Sequence, residues 1–185
     1  MLRLGAERAG VADIESLVEG QFDRFIEFYA ADIDRHTRLY PGAEAAIGEL
    51  RQHGMKTGIC TNKPEAQAID LIDKLGVAHL FDSFIAADTL PTRKPDPAPM
   101  REAVQRAGGD LSNCALIGDT ETDRETARRS NVPCVLVTFG PDGEDIRQLE
   151  ADAYLDDYID LGAVVSRTLD SFFGASANEI GQVTK

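Results

Sequence analysis

Basic charge is what this sequence has least of: 19 Lys and Arg stand against 32 Asp and Glu, a formal net charge of −13 over 185 residues. Nonspecific binding to nucleic acid or to an anionic membrane needs a basic face, so neither is expected as a partner. Small anionic substrates stay open, because a bound cation or a local cluster inverts the local field. Cysteine is also scarce. Cys60, Cys114 and Cys134 have no close metal-ligand spacing and sit in or beside apolar runs, so they read as small core residues of a reducing compartment. No apolar run approaches the roughly 18 residues of a membrane span. The opening Met1-Leu2-Arg3-Leu4-Gly5 lacks the apolar stretch of a signal peptide, so a soluble cytoplasmic protein is expected. Internal repeats and low-complexity tracts are absent as well.

The length suffices for one domain with a sizeable core and a small appendage. Residues 2 to 35 read as helices, since Phe22, Phe25, Ile26 and Tyr29 recur at helical spacing with Asp23, Arg24 and Glu27 between them. Such an amphipathic segment is expected to bury its aromatic face. Tyr40-Pro41-Gly42 stops it, and a helix over 43–52 follows, ended by Gly54.

Strands and helices then alternate. Strands are predicted at 56–60, 83–87, 114–117 and 134–139, and helices at 64–75, 96–107 and 121–129, with Pro97 and Pro99 confined to a first turn. This order predicts a parallel sheet with helices on both faces. Residues 152–160 read as a short edge strand and turn, Gly108-Gly109 and Pro141-Asp142-Gly143 as turns, and residues 174–185 as a flexible tail. His36, His53 and His79 read as isolated surface or cap residues.

Three loops carry chemistry. Cys114-Ala115-Leu116-Ile117-Gly118-Asp119-Thr120-Glu121-Thr122-Asp123 reads as a buried strand delivering two carboxylates to a sheet edge, where open α/β sheets bind ligands. Carboxylates four positions apart on a turn suit a hard cation such as Mg2+. Acid there also serves as the N-cap of the next helix, and on this motif alone both readings stand. Cys60-Thr61-Asn62-Lys63-Pro64 offers a hydroxyl, an amide and backbone N–H groups at a helix start, an anion cradle or an ordinary cap. Thr92-Arg93-Lys94-Pro95-Asp96-Pro97 sets a cation between a strand and a proline-started helix, with Pro95 holding Lys94 extended.

Together and in this order, the three loops resemble the haloacid dehalogenase-like hydrolases, and the fuller wording is similar to the phosphoglycolate phosphatase branch. That wording is Tyr40-Pro41-Gly42, Thr61-Asn62-Lys63-Pro64, Asp88-Thr89-Leu90-Pro91-Thr92-Arg93-Lys94-Pro95-Asp96-Pro97 and Gly118 to Asp123. The resemblance runs from about residue 2 to 165. It implies a Rossmann-like α/β core over 39–173 and a partial helical cap over 1–38. It implies phosphate binding by Thr61, Asn62 and Lys94, a catalytic role for Lys94 in steadying nucleophile and phosphate, and Mg2+ held by Asp119 and Asp123. The activity implied is hydrolysis of a small phosphorylated metabolite, 2-phosphoglycolate, to glycolate and phosphate.

One departure bears on all of this. The family's first core strand, ending in Asp-x-Asp, supplies the attacking carboxylate, and no such strand precedes the cap segment here. Asp32-Ile33-Asp34 matches in letters only, since the residues before it have helical periodicity. Without a nucleophile the remaining groups position a phosphoryl group and neutralise its charge, and turnover is expected to be lost. The expected chain is therefore a truncated, inactive phosphatase. Other readings are a different small-phosphoester phosphatase or phosphomutase, or a catalytically dead phosphate-binding module. The missing strand would lie between those ending at Cys60 and Ile117. The sheet is then expected to re-close there, to remain partly unfolded, or to share strands in a homo-oligomer through its unpaired edges.

Overall fold

The computed structural model describes residues 2–31, 33–141 and 143–180. Two compact units divide the chain, Met1–Arg38 and Leu39–Lys185. The first is a helix pair, α1 (Leu2–Arg8) and α2 (Ile14–Ala31), with Arg3 Nη2 donating to Glu15 Oε2 at 2.8 Å. Contrary to expectation, the described members of the α2 apolar series do not form a buried face: Phe22 is 51% exposed, Phe25 and Ile26 are half-buried, and the Tyr29 side chain lies outside the described residues. A 7-residue helix offers too little surface to cover an 18-residue one. Arg24 instead lays its guanidinium 5.4 Å from the Phe28 ring centroid. Of the Asp32-Ile33-Asp34 match, Asp32 lies outside the described residues.

The second unit follows the predicted alternation: α3 (Ala43–Gln52), β1 (Gly58–Cys60), α4 (Glu65–Leu75), β2 (Ser83–Ile85), α5 (Ala98–Arg106), β3 (Leu116–Gly118), α6 (Glu121–Ser130), β4 (Cys134–Val137), β5 (Ala153–Leu155) and α7 (Leu161–Ile180). All pairings are parallel, but they form two sheets, β1–β2 and β3–β4–β5. Among the described residues no strand joins β1 to β3, so the direct re-closure weighed from the sequence does not occur.

Period-2 alternation decides how β4 is covered. Val135 and Val137 face a cluster with Ala46 and Leu50 of α3, Leu155 of β5 and Leu161, Val164 and Val165 of α7. Cys134 and Leu136 face the other way, onto Met100 of α5, Leu116 of β3 and Ala127 of α6. Strand β4 is thus buried on both faces, as an inner strand of a parallel sheet is. Helix α5 also packs against β1, β2 and α6, so it spans the break between the sheets.

Of the tail read over 174–185, the residues as far as Ile180 continue α7, whose Leu161, Val164 and Val165 pack on the β4–β5 face, and residues 181–185 lie outside the described residues. At the turn read at 141–143, Gly143 N donates to Gly140 O at 3.0 Å, and a 3-10 helix over Gly143–Gln148 follows, held by Ile146, which is buried among the α5–α6 cluster.

Candidate active site

Parallel strands with crossover helices bring the loops that follow β1, β2 and β3 to one edge, and this juxtaposes three of the five predicted site residues. Lys94, in the loop after β2, donates from Nζ to Asp123 Oδ1 at 2.5 Å, with side chains only 11% and 8% exposed. Asn62, after β1, donates from Nδ2 to the Lys94 carbonyl at 2.9 Å. One chain of contacts therefore runs across three loops. The Lys94–Pro95 bond is cis.

Asp123 sits in the first turn of α6 and accepts at both carboxylate oxygens. Its Oδ2 accepts from the Thr120 hydroxyl at 2.7 Å and from the Asp119 N–H at 3.2 Å. Burial raises its proton affinity, but the Lys94 charge and hydrogen bond, then the Thr120 and Asp119 donors, outweigh burial and hold the carboxyl below its ordinary range. Gly118 makes the packing possible: a Cβ there would stand 2.3 Å from Asp123 Cβ and 2.5 Å from its Cγ. A side chain at 118 and a carboxylate at 123 exclude each other.

Asp119 lies at the end of β3 and is half-buried. A Cβ at Gly140, after β4, would come within 3.0 Å of Asp119 Cβ, so that loop backs the carboxylate. Next to Gly140, Phe139 is held between Tyr40 and Tyr158, each 5.1 Å away by ring centroids. The Tyr158 hydroxyl is pushed up by burial, then by Tyr40 and by the Asp119 charge, which sets the aromatic cluster beside Asp119.

Thr61 continues the β1–β2 ladder, its N–H donating to Ile85 O at 2.9 Å, while its hydroxyl oxygen accepts from the Lys63 N–H at 3.1 Å. That bond orders the loop at the start of α4. The neighbouring loop is fixed to it, with Ala87 N donating to Lys63 O at 3.1 Å and Glu65 N to Asp88 Oδ1 at 2.7 Å. The Cys60 thiol is raised by burial, lowered by Lys94 and raised by Asp123, so it too lies near the ion pair. No third His, Cys, Asp or Glu joins Asp119 and Asp123 in a metal-holding cluster among the described residues.

Sequence reasoning missed Thr120 and Gly140. The first was legible as a Thr-x-x-Asp helix start. The second was not, because only the fold brings it against Asp119.

The haloacid dehalogenase-like hydrolase profile matches residues 7–137. The chain belongs to that family. It is 38% identical over 158 residues to a phosphoglycolate phosphatase of Rhodospirillum rubrum, covering 85% of this chain and 65% of that one. A phosphoglycolate phosphatase of Mesorhizobium japonicum is 36% identical over 157 residues, with 83% and 69% covered. The crystal structure of a predicted phosphoglycolate phosphatase from Haemophilus somnus superposes with a TM-score of 0.75 at 24% identity, covering 86% of this chain and 72% of that one. The haloacid dehalogenase-like chain thus spans about two thirds of the length of these curated relatives.

Proposed function

We propose that this chain is the phosphate- and cation-holding part of a cytoplasmic phosphatase that acts on small phosphate monoesters, with 2-phosphoglycolate as the substrate. The observation that carries the reading is the buried Lys94–Asp123 pair, tied through Asn62 to the Thr61 loop. An ammonium beside a hydroxyl and a helix start is a set of groups complementary to a phosphoryl dianion. Thr61, Asn62 and Lys94 would hold the phosphate, and residues 1–38 form part of a cap that selects the substrate.

Asp119 and Asp123 are hard oxygen donors. Mg2+ needs only one or two carboxylates, with water and substrate phosphate completing its shell, so the two residues fit it although Asp123 already serves Lys94. When bound, the cation neutralises charge on the phosphoryl group. The protein residues orient the ester, with Lys94 paired to Asp123. Among the described residues, no carboxylate on a strand between β1 and β3 stands ready as a nucleophile. The proposal therefore includes that the 185-residue protein binds phosphate without turning over ester.

Isothermal titration with inorganic phosphate and Mg2+ tests this. Binding that Lys94→Ala reduces at least tenfold is expected, with no hydrolysis of 2-phosphoglycolate above background. Phosphate binding that is absent, or indifferent to Lys94→Ala, would sink the reading. We further propose that the open β1 and β3 edges pair with a second copy, so the apparent mass in sedimentation velocity rises with concentration; a monomer at every concentration contradicts this.

A further inference from the structure

Thr120 touches Asp123 twice. Its hydroxyl donates to Oδ2 at 2.7 Å, and its oxygen accepts from the Asp123 N–H at 3.3 Å, which caps α6. The cap alone is an ordinary structural role. The donated proton is a second role. The terminal torsion of an aspartate is broad and nearly two-fold, so a carboxylate held at one oxygen by Lys94 alone could swing. Gly118 lacks a Cβ, and Asp123 packs into the space that one would fill. The remaining donor to Oδ2, the Asp119 N–H, is longer at 3.2 Å.

We propose that Thr120 is a positioning residue for Lys94: its hydroxyl proton pins Oδ2 of Asp123 so that Oδ1 faces the ammonium. Lys94 is then held at both ends, its carbonyl by Asn62 and its ammonium by an aspartate that cannot turn. This rests on the reading of Lys94 as a phosphate-holding group only for its functional consequence; the geometric claim stands apart from it.

The test separates proton from cap. Thr120→Ser keeps both, Thr120→Val keeps the shape and loses both, and Thr120→Asp keeps the acceptor for the helix N–H with no proton to give. The readout is the 1H–15N signal of the Lys94 ammonium, visible when it is buried and hydrogen-bonded and lost to solvent exchange otherwise. The wild type and Thr120→Ser are expected to show it, and Thr120→Val and Thr120→Asp to lose or shift it. Phosphate affinity in Mg2+ should fall about tenfold in the latter two. A wild-type signal in either folded variant overturns the proposal, as does loss of the signal in Thr120→Ser; if Thr120→Val does not fold, Thr120→Asp decides. A wild-type protein that binds no phosphate removes the proposed function while the ammonium signals still judge Thr120.

Discussion

Strand β4 is hydrogen-bonded on both edges, to β3 and β5, and none of its four side chains is more than 6% exposed. Strand β3 lies in the same sheet and, among the described residues, is paired on one edge only, and its Ile117 is 39% exposed. Strand β1, across the break, has Gly58 exposed and Ile59 and Cys60 half-buried. All three are short apolar segments of similar composition. A parallel strand is buried by its neighbours, and an apolar run only makes it fit to be buried.

What keeps the two sheets together is a set of ties across the break. At the carboxyl ends Lys94 meets Asp123. At the amino ends Arg51 of α3 donates to Asp82 at 2.5 Å, and the same Asp82 oxygen accepts from the Thr57 N–H at 3.0 Å. Helix α5 spans the middle.

The largest effect is expected at the carboxyl-end tie. Removing Lys94 leaves a buried aspartate without its cation, so Lys94→Ala should cost about 3–5 kcal/mol in urea unfolding. The strand contrast comes next. Leu136→Ala in β4 should cost about 3 kcal/mol, the range for a core leucine that leaves a cavity, and Ile117→Ala in β3 about 1 kcal/mol, since much of that side chain already meets water. Equal costs would break the comparison, and would mean that the β3 edge is covered in solution.

The smallest effect is at the amino-end tie, and it depends on pH. The Thr57 N–H, then Arg51, hold the Asp82 carboxyl below its ordinary value of 3.8. A lowered folded value means that its stabilisation is full above the unfolded carboxylate range and is lost as pH falls through the folded one. Asp82→Asn should therefore cost about 1 kcal/mol at pH 7, and the difference from wild type should close as the pH falls through the lowered carboxyl's range. A gap that persists in acid would show that the asparagine disturbs packing rather than charge.

Helix starts and stops, strand positions and their parallel order were legible in the sequence, because each depends on neighbours in the chain: Gly54 and Gly76 at helix ends, apolar runs bounded by turns, proline at the head of α5. The three loops of the candidate site were legible for the same reason, since a loop between a strand and a helix of such a sheet has one edge to go to. The tertiary structure decided the rest. Lys94 and Asp123 are 29 residues apart and Arg51 and Asp82 are 31 apart, and no local rule pairs them. The fold gave Asp123 a lysine to hold, set Gly140 behind Asp119, and laid Leu161, Val164 and Val165 of α7 on the β4–β5 face. Burial and ion pairing are properties of what lies across the sheet, and the same apolar letters are core in β4 and edge in β3.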